Sequence, residues 1–198
     1  MNDRVQDLSL FRLPADFRGR SALVCQAWWI IQDTLFRWSP QFMYGFRNAL
    51  LRLFGAQIGT AVMIRPTVRI QFPWKVIIGD YTWIGDHAEL YSLGPISIGA
   101  HAVISQMCYL CTATHDPSEV DFPIYATSMT VGDEVWLCAG VFIMPGANIG
   151  RGAVVGARSL VTKDIPAMAL AKGNPAVVTG ERKTNFGSSV NRPPLRAE

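Results

Sequence analysis

An aliphatic residue recurs at every sixth position through most of the chain's middle, and this period constrains the fold more than any other feature. The recurring residues form five groups of three: Ile58, Ile64, Ile70; Ile78, Ile84, Leu90; Ile98, Ile104, Leu110; Val131, Leu137, Ile143; Ile149, Val155, Val161. Glycine follows the first aliphatic residue of every group, and the residue four places after each aliphatic position is mostly small. A short internal period of this kind is typical of a solenoid.

A six-residue segment is too short to bury an apolar face by itself. Three short strands joined by tight bends make one triangular coil, and stacked coils bury the aliphatic residues in a continuous core. We interpret the glycine after the first aliphatic residue as tolerating backbone angles that other residues resist. The sequence therefore predicts an all-β solenoid of about five coils, with its domain at residues 56–178.

One long insert, residues 116–130, interrupts the repeat. His115 is the last repeat residue before that insert, in a coil whose recurring positions are otherwise aliphatic. We therefore expect the side chain of His115 to lie at the edge of a cleft. An imidazole that titrates near neutral pH can take a proton from a hydroxyl as that hydroxyl attacks an activated carbonyl. The alternative is a structural histidine, which is the common role of a lone one.

The other two histidines, His87 and His101, both occupy outward-facing positions of the repeat. A zinc site on a solenoid needs histidines that converge, whereas these three are widely spaced along the chain. The sequence therefore predicts no metal. It also lacks the G-x-S-x-G motif of a nucleophilic serine, which favours direct transfer over a covalent intermediate.

Residues 1–55 precede the repeat and place apolar residues at helical spacing. The pattern predicts one helix over Ser21–Trp38 and a second over Gln41–Phe54. We interpret this segment as a cap that covers the first coil, whose strand edges would otherwise be exposed. At the other end, the polar composition of residues 179–198 predicts a C-terminal tail without fixed structure.

A second interpretation of residues 1–55 is a helix that lies in a membrane interface. Arginines outnumber acidic residues in this segment and account for the chain's formal net charge of +3. Trp28, Trp29 and Trp38 suit the boundary between lipid and water. The sequence therefore leaves peripheral membrane contact through the N-terminal helices open.

Composition sets expectations for compartment and partners. The four cysteines show no disulfide-framework pattern, and the first twenty residues do not read as a signal peptide, so we expect a cytoplasmic protein. Charged residues make up 17% of the chain and hydrophobic residues 49%, which leaves apolar surface to bury between subunits. No nucleic-acid partner is expected.

Longer motifs flank the insert. The sequence reads Cys-Thr-Ala-Thr-His-Asp before it, Val-Trp-Leu-Cys-Ala-Gly after it, and then Val-Gly-Ala-Arg-Ser-Leu-Val-Thr-Lys-Asp-Ile-Pro and Gly-Asn-Pro-Ala. Together with the hexads, these motifs resemble the hexapeptide-repeat acyltransferases. The similarity is greatest to the sugar O-acetyltransferase branch, which includes the exopolysaccharide enzymes of the colanic-acid type. It covers about residues 58–178.

This resemblance implies a left-handed parallel β-helix that assembles as a homotrimer, with active sites in the clefts between subunits and acetyl-CoA as co-substrate. It implies that His115 is the general base and that Trp136 packs beside the site. Glu89 and Asp116 are the further acceptor-side residues that it suggests. Asp116 is also a candidate to orient the imidazole, although an aspartate after a strand is an ordinary turn residue.

On the coenzyme side, the resemblance implies contacts from Ala139, Ala157, Thr162 and Lys163. The chain departs from the family after Gly-Asn-Pro-Ala, where relatives often carry a basic residue for the coenzyme phosphates. Val177 and Val178 stand there instead.

The function expected from these observations is acetyl-CoA-dependent O-acetylation of a sugar hydroxyl, in the biosynthesis of a surface polysaccharide or exopolysaccharide. Two alternatives stay open from the sequence. One is an N-acyltransferase that acts on an amino-sugar or an antibiotic, and the other is a non-catalytic β-helix scaffold.

Overall fold

A computed structural model describes residues 4–184 of the chain. Two helices come first: α1 (Ala22–Ile31), which continues into a π-helical segment at Gln32–Phe36, and α2 (Tyr44–Leu53). Strands β1 to β9 follow: Gln57–Ile58, Met63–Ile64, Arg69–Ile70, Val76–Ile78, Trp83–Ile84, Glu89–Tyr91, Ile96–Ile98, Val103–Ile104 and Tyr109–Cys111. Strands β10 to β18 are Ala113–His115, Ile124–Ala126, Met129–Val131, Trp136–Leu137, Phe142–Ile143, Val154–Val155, Leu160–Val161, Ala169–Gly173 and Ala176–Glu181.

Apart from the antiparallel pair β10-β11 and the antiparallel last strand β18, these strands form three parallel sheets, one on each side of a triangular coil. Sheet A has the order β1-β4-β7-β12, sheet B the order β18-β17-β15-β13-β8-β5-β2, and sheet C the order β16-β14-β9-β6-β3. Each parallel strand pairs with the equivalent strand of the next coil, as the hexad predicts. The predicted β-solenoid is confirmed.

The aliphatic positions of successive coils stand in register. Ile64 pairs with Ile84, and Ile84 pairs with Ile104. The isoleucine of each coil therefore lies directly above the isoleucine of the coil before it. These side chains are at most 1% exposed and belong to one continuous core. The stack extends beyond the five predicted groups, because Ile165 and Ala171 continue sheets A and B in a sixth, partial turn.

The glycine after the first aliphatic residue has a different cause from the one inferred from sequence. Neither Gly79 nor Gly150 has a positive φ, so neither needs glycine for its backbone conformation. A Cβ on Gly79 would lie 2.5 Å from the backbone nitrogen of Ala100, and one on Gly150 would lie 2.3 Å from that of Ala167. Glycine is needed here because the next coil's backbone passes too close for a side chain.

The N-terminal helices cover the open edge of the first coil. The side-chain oxygen of Gln32 accepts a hydrogen bond from the amide of Ile70 at 2.7 Å, and the indole of Trp28 donates to the Ile70 carbonyl at 2.7 Å. The guanidinium of Arg47 donates to the carbonyl of Ile64, also at 2.7 Å. These side chains satisfy backbone groups that an uncovered sheet edge would leave unpaired.

No helix within residues 4–184 is long and apolar enough to span a lipid bilayer.

A β-hairpin closes the other end of the stack. Strand β18 runs antiparallel to β17, and Arg182 just beyond it donates to the carbonyls of Glu134 and Gly152. The expected tail at 179–198 therefore begins inside a strand that ends at Glu181. Sequence periodicity missed this strand because it pairs across a turn instead of following the hexad. Residues 185–198 of the expected tail lie outside the described part of the chain.

Candidate active site

The insert and the three residues before it, Ala113–His115, form a hairpin that carries His115. Strands β10 and β11 pair antiparallel, with His115 opposite Ile124. The hairpin leaves the stack between β9 of sheet C and β12 of sheet A. Thr112 anchors its base, because its buried hydroxyl donates to the carbonyl of Tyr91 at 2.7 Å and accepts from the amide of Gly94 at 2.8 Å.

The imidazole of His115 is half-buried and held on its Nδ1 side. Nδ1 lies 2.9 Å from the carbonyl oxygen of Phe122, and the Phe122 ring stacks on the imidazole at 4.3 Å between centroids and 9° between planes. A carbonyl oxygen only accepts hydrogen bonds, so in the neutral imidazole Nδ1 carries the hydrogen and Nε2 has the free lone pair. This tautomer is the one a general base requires.

The N-terminal segment also reaches this histidine. The ring of Phe11 lies 6.1 Å from the imidazole, centroid to centroid, at 50°. The amide of Asp7 donates to the carbonyl of Val120 at 2.8 Å, which ties the segment to the insert. Sequence reasoning did not find this contact, because more than one hundred residues separate the partners and no repeat pattern links them.

Asp116 does not orient the imidazole. Its carboxylate accepts hydrogen bonds from the backbone amide of Ser118 at 2.9 Å and from the Ser118 hydroxyl. The hydroxyl and then the amide of Ser118 lower the pKa of this exposed carboxyl. Asp116 is thus the turn residue of the alternative interpretation, and the carbonyl of Phe122 takes the orienting position beside His115.

Glu89 lies half-buried on the outer face of sheet C, next to a row of aromatic side chains. It pairs in register with Tyr109. Tyr91 and Tyr109 are 5.9 Å apart between ring centroids, and Tyr109 stacks on Phe142 at 4.8 Å. Burial first, and then the nearby Glu89 and Cys111, raise the pKa of Tyr109 above that of an ordinary phenol. The hydroxyl therefore stays protonated and able to donate at neutral pH.

This aromatic row extends toward the hairpin. Tyr91 is the last residue of β6, and it packs in one cluster with Ala113 and Ile124 at the hairpin base. Ile124 is the register partner of His115. Sheet C therefore brings Glu89 and Tyr91 to the side of the stack from which the histidine projects. The sequence analysis singled out Glu89 but missed Tyr91 and Tyr109.

Trp136 is on a different face. It belongs to β13 in sheet B, is 46% exposed, and its indole donates to the hydroxyl of Ser105 at 3.1 Å. The expected packing of Trp136 beside His115 is therefore not formed within one chain.

The coenzyme-side residues divide between two edges of the stack. Ala139 and Ala157 lie one above the other where sheet B turns into sheet C, and the amide of Arg158 donates to the Ala139 carbonyl at 2.9 Å. Thr162 and Lys163 are exposed at the turn after β16, where sheet C leads back to sheet A. That edge is the one from which the His115 hairpin leaves, two coils earlier.

A cavity of about 640 Å³ lies on the outer face of sheet B and under Tyr44 of α2. Its lining includes Trp83, Asp86, Ser105 and Gln106. The described insert does not contribute to the lining of this cavity. Within one chain, the cavity and the histidine are thus separate features.

No group of three or more potential ligand side chains in residues 4–184 is placed to hold a metal ion. His87 and His101 lie at coil corners, both with positive φ, and His101 stacks on Tyr81 at 5.1 Å between ring centroids. These two histidines therefore belong to the turns of the solenoid.

Comparisons with known proteins address the family. No family model matches the chain. A putative colanic acid biosynthesis acetyltransferase of Escherichia coli K12 is 54% identical over 178 residues, which cover 90% of this chain and 98% of that protein. A galactoside O-acetyltransferase of Lactococcus lactis is 35% identical over 141 residues, covering 69% of this chain and 67% of the relative.

Among solved structures, a hexapeptide-repeat acetyltransferase from Vibrio cholerae in complex with acetyl-CoA matches with a TM-score of 0.75 at 26% identity. The match covers 84% of this chain and 92% of that structure. A galactoside acetyltransferase in complex with coenzyme A shares the fold with a TM-score of 0.76, covers 94% of this chain and 92% of that one, and is 22% identical. The chain therefore belongs to the hexapeptide-repeat acetyltransferases, and its solenoid is the left-handed parallel β-helix of that family.

Proposed function

We propose that this acetyltransferase moves an acetyl group from acetyl-CoA to a sugar hydroxyl, in the biosynthesis of a surface polysaccharide of the colanic-acid type. The observation that carries the proposal is the geometry of His115. The Phe122 carbonyl fixes the tautomer from one side, and Nε2 keeps a lone pair for an incoming hydroxyl. The similarity to a putative colanic acid biosynthesis acetyltransferase, and to a galactoside O-acetyltransferase, supports a saccharide acceptor.

In the proposed reaction, Nε2 of His115 removes the proton of the acceptor hydroxyl. The hydroxyl oxygen then attacks the thioester carbonyl carbon, and backbone amides stabilise the negative charge that develops on the carbonyl oxygen. The C–S bond breaks, and the thiolate of coenzyme A takes the proton back from the imidazolium. The products are an acetyl ester and free coenzyme A, with no covalent enzyme intermediate.

The groups around His115 suggest how an acceptor is held. A sugar presents hydroxyls and a weakly apolar ring face, which suits a carboxylate beside aromatic side chains. Glu89 offers acceptor oxygens, and Tyr91 and Tyr109 offer protonated hydroxyls and ring faces on the same sheet. We place the acceptor between this row and the hairpin.

We further propose that the enzyme acts as a homotrimer. The residues expected at the site lie on separate faces of one chain: His115 on its hairpin, Trp136 on sheet B, and Ala139 and Ala157 at the edge between sheets B and C. A neighbouring subunit that packs its sheet B edge against the hairpin would bring these groups together. Sedimentation velocity tests the assembly, and a monomer at micromolar concentration would contradict it.

The proposed compartment is the cytoplasm. The four cysteines of the chain, all within the described residues, are free thiols. Free thiols persist where the surroundings are reducing. Fractionation of cells that express the protein tests this placement.

The activity is tested with purified protein, labelled acetyl-CoA and a panel of mono- and oligosaccharides. We expect acetylated sugars whose label is released by mild alkali, as for an ester. Alkali-stable amide products would favour an N-acyltransferase instead. Calorimetry that finds no binding of coenzyme A would favour a non-catalytic scaffold.

A further inference from the structure

The two N-terminal helices and the segment that joins them carry exposed apolar side chains. Within residues 30–53, these side chains are Ile30, Leu35, Trp38, Phe42, Phe46 and Leu53, which we call the cap face. Trp38 is 81% exposed and Phe42 is 80% exposed. Large apolar side chains grouped in one exposed segment at this exposure indicate an interaction surface.

Helix α2 exposes apolar side chains although it buries polar ones. Its buried side carries Arg47 and Asn48, which donate to carbonyls of the first coil, together with Leu51. Its outer side carries Arg52, but also Phe46 and, seven residues later, Leu53, which is 76% exposed. A helix that only capped the solenoid would turn polar side chains toward water in place of these two.

The cap face is continuous where the two helices meet. Leu35 and Trp38, at the end of the first helical segment, line one shallow groove together with Met43 and Phe46 of the second. The groove measures about 410 Å³ and its wall is almost wholly apolar. All the residues that line it belong to the N-terminal segment, between Thr34 and Phe46.

Charge identifies the partner. Residues 1–55 contain seven arginines and four aspartates, with no lysine or glutamate, which gives 7 − 4 = +3 and equals the formal net charge of the whole chain. Arg37 is exposed directly beside Trp38. Arg52 of α2 is exposed as well, whereas Arg47 is buried and donates to backbone carbonyls.

This charge argues against a second copy of the chain on the cap face, because self-association would bring two positive segments together. An anionic lipid surface is complementary to both properties of the face. Tryptophan and phenylalanine insert at the boundary between headgroups and acyl chains, and arginines bind the anionic headgroups around them.

We propose that the cap face binds the surface of an anionic lipid bilayer. Trp38, Phe42 and Phe46 enter the interfacial region, and Arg37 contacts the headgroups. The helices lie along the surface and do not cross it. The proposal does not depend on the acetyl-transfer chemistry, since it rests on residues that are separate from the His115 hairpin.

Co-sedimentation with vesicles tests this proposal. One vesicle preparation contains phosphatidylglycerol and phosphatidylcholine, and the other contains phosphatidylcholine alone. We expect binding to the first, weaker binding to the second, and loss of binding as salt is raised, because added ions screen the arginines. Trp38→Ala combined with Phe42→Ala should weaken binding at least ~100-fold, since each aromatic side chain contributes more than one factor of ten when buried. Arg37→Gln should weaken it about 5-fold.

Tyr125→Ala is the matched control, because Tyr125 is an aromatic residue that is 50% exposed outside the cap. It should bind vesicles as the unmodified chain does. Circular dichroism melting curves check that all variants are folded. Absence of binding to phosphatidylglycerol vesicles would overturn the proposal, as would binding that the double substitution leaves unchanged. A fall in the sedimentation mass of the double variant would assign the cap face to self-association instead.

Discussion

Replacing Gly79 with alanine tests the close packing of successive coils. The added Cβ would lie 2.5 Å from the nitrogen of Ala100, 2.6 Å from the carbonyl carbon of Gly99 and 2.9 Å from the Cα of Ala100. All three atoms are backbone, so no side-chain rotation can relieve the contact. Overpacking in a core costs about 1–3 kcal/mol, and this site should be at the upper end of that range or beyond it.

For a chain of this size, roughly 3 kcal/mol lowers Tm by about 6–12 °C. Differential scanning calorimetry measures that change, and Gly45→Ala serves as the control. Gly45 lies in helix α2, and a Cβ there would meet no described atom within 4 Å outside its own helix backbone. Because alanine favours a helix over glycine, this variant should gain about 0.5–1 kcal/mol. If Gly79→Ala melted at the temperature of the unmodified protein, the argument that coil contact requires glycine would be wrong.

The remaining predictions concern the site and the pH dependence of stability. His115→Ala should lower kcat by at least ~10², the low end of general-base catalysis, as measured by coenzyme A release; full activity in a folded variant would remove His115 from the mechanism. Asp116→Ala should keep kcat within about threefold, because its carboxylate bonds Ser118 and not the imidazole; a loss as large as that of His115→Ala would contradict this geometry. Burial raises the pKa of the Cys108 thiol from 9.0 to about 11. The folded thiol then keeps its proton where the unfolded thiol loses it, so the free energy of unfolding should fall by about 2–3 kcal/mol as pH rises from 9.0 to about 11. Urea titrations of the unmodified chain and of Cys108→Ala measure this slope, which should flatten in the variant.

The repeat was predictable because each aliphatic position meets its own equivalent in the next coil. Ile64 stacks on Ile84 and Ile104, so local spacing and tertiary contact carry the same information. The position of His115 at the start of the insert was visible for the same reason. The role of the recurring glycine was not visible, because the sequence does not show how close two coils lie.

The surroundings of His115 depend on contacts between distant parts of the chain. Phe11 reaches the imidazole from the N-terminal segment, and Tyr91 reaches the hairpin base from the preceding coil. The Phe122 carbonyl is a backbone group, and any residue type at that position would supply it. Residue identity alone therefore offered Asp116, the next residue in the chain, as a candidate orienting group beside its ordinary role as a turn residue.

The sequence by itself determined the solenoid and its core, since a strict period leaves one way to bury the aliphatic side chains, and it singled out His115 as the candidate base. Only the tertiary structure decided which imidazole nitrogen is free, which face of the N-terminal helices points outward, and how the site residues divide among the three sheets. These properties depend on how the His115 hairpin and the N-terminal helices pack against distant parts of the chain. The six-residue period carries no information about such contacts.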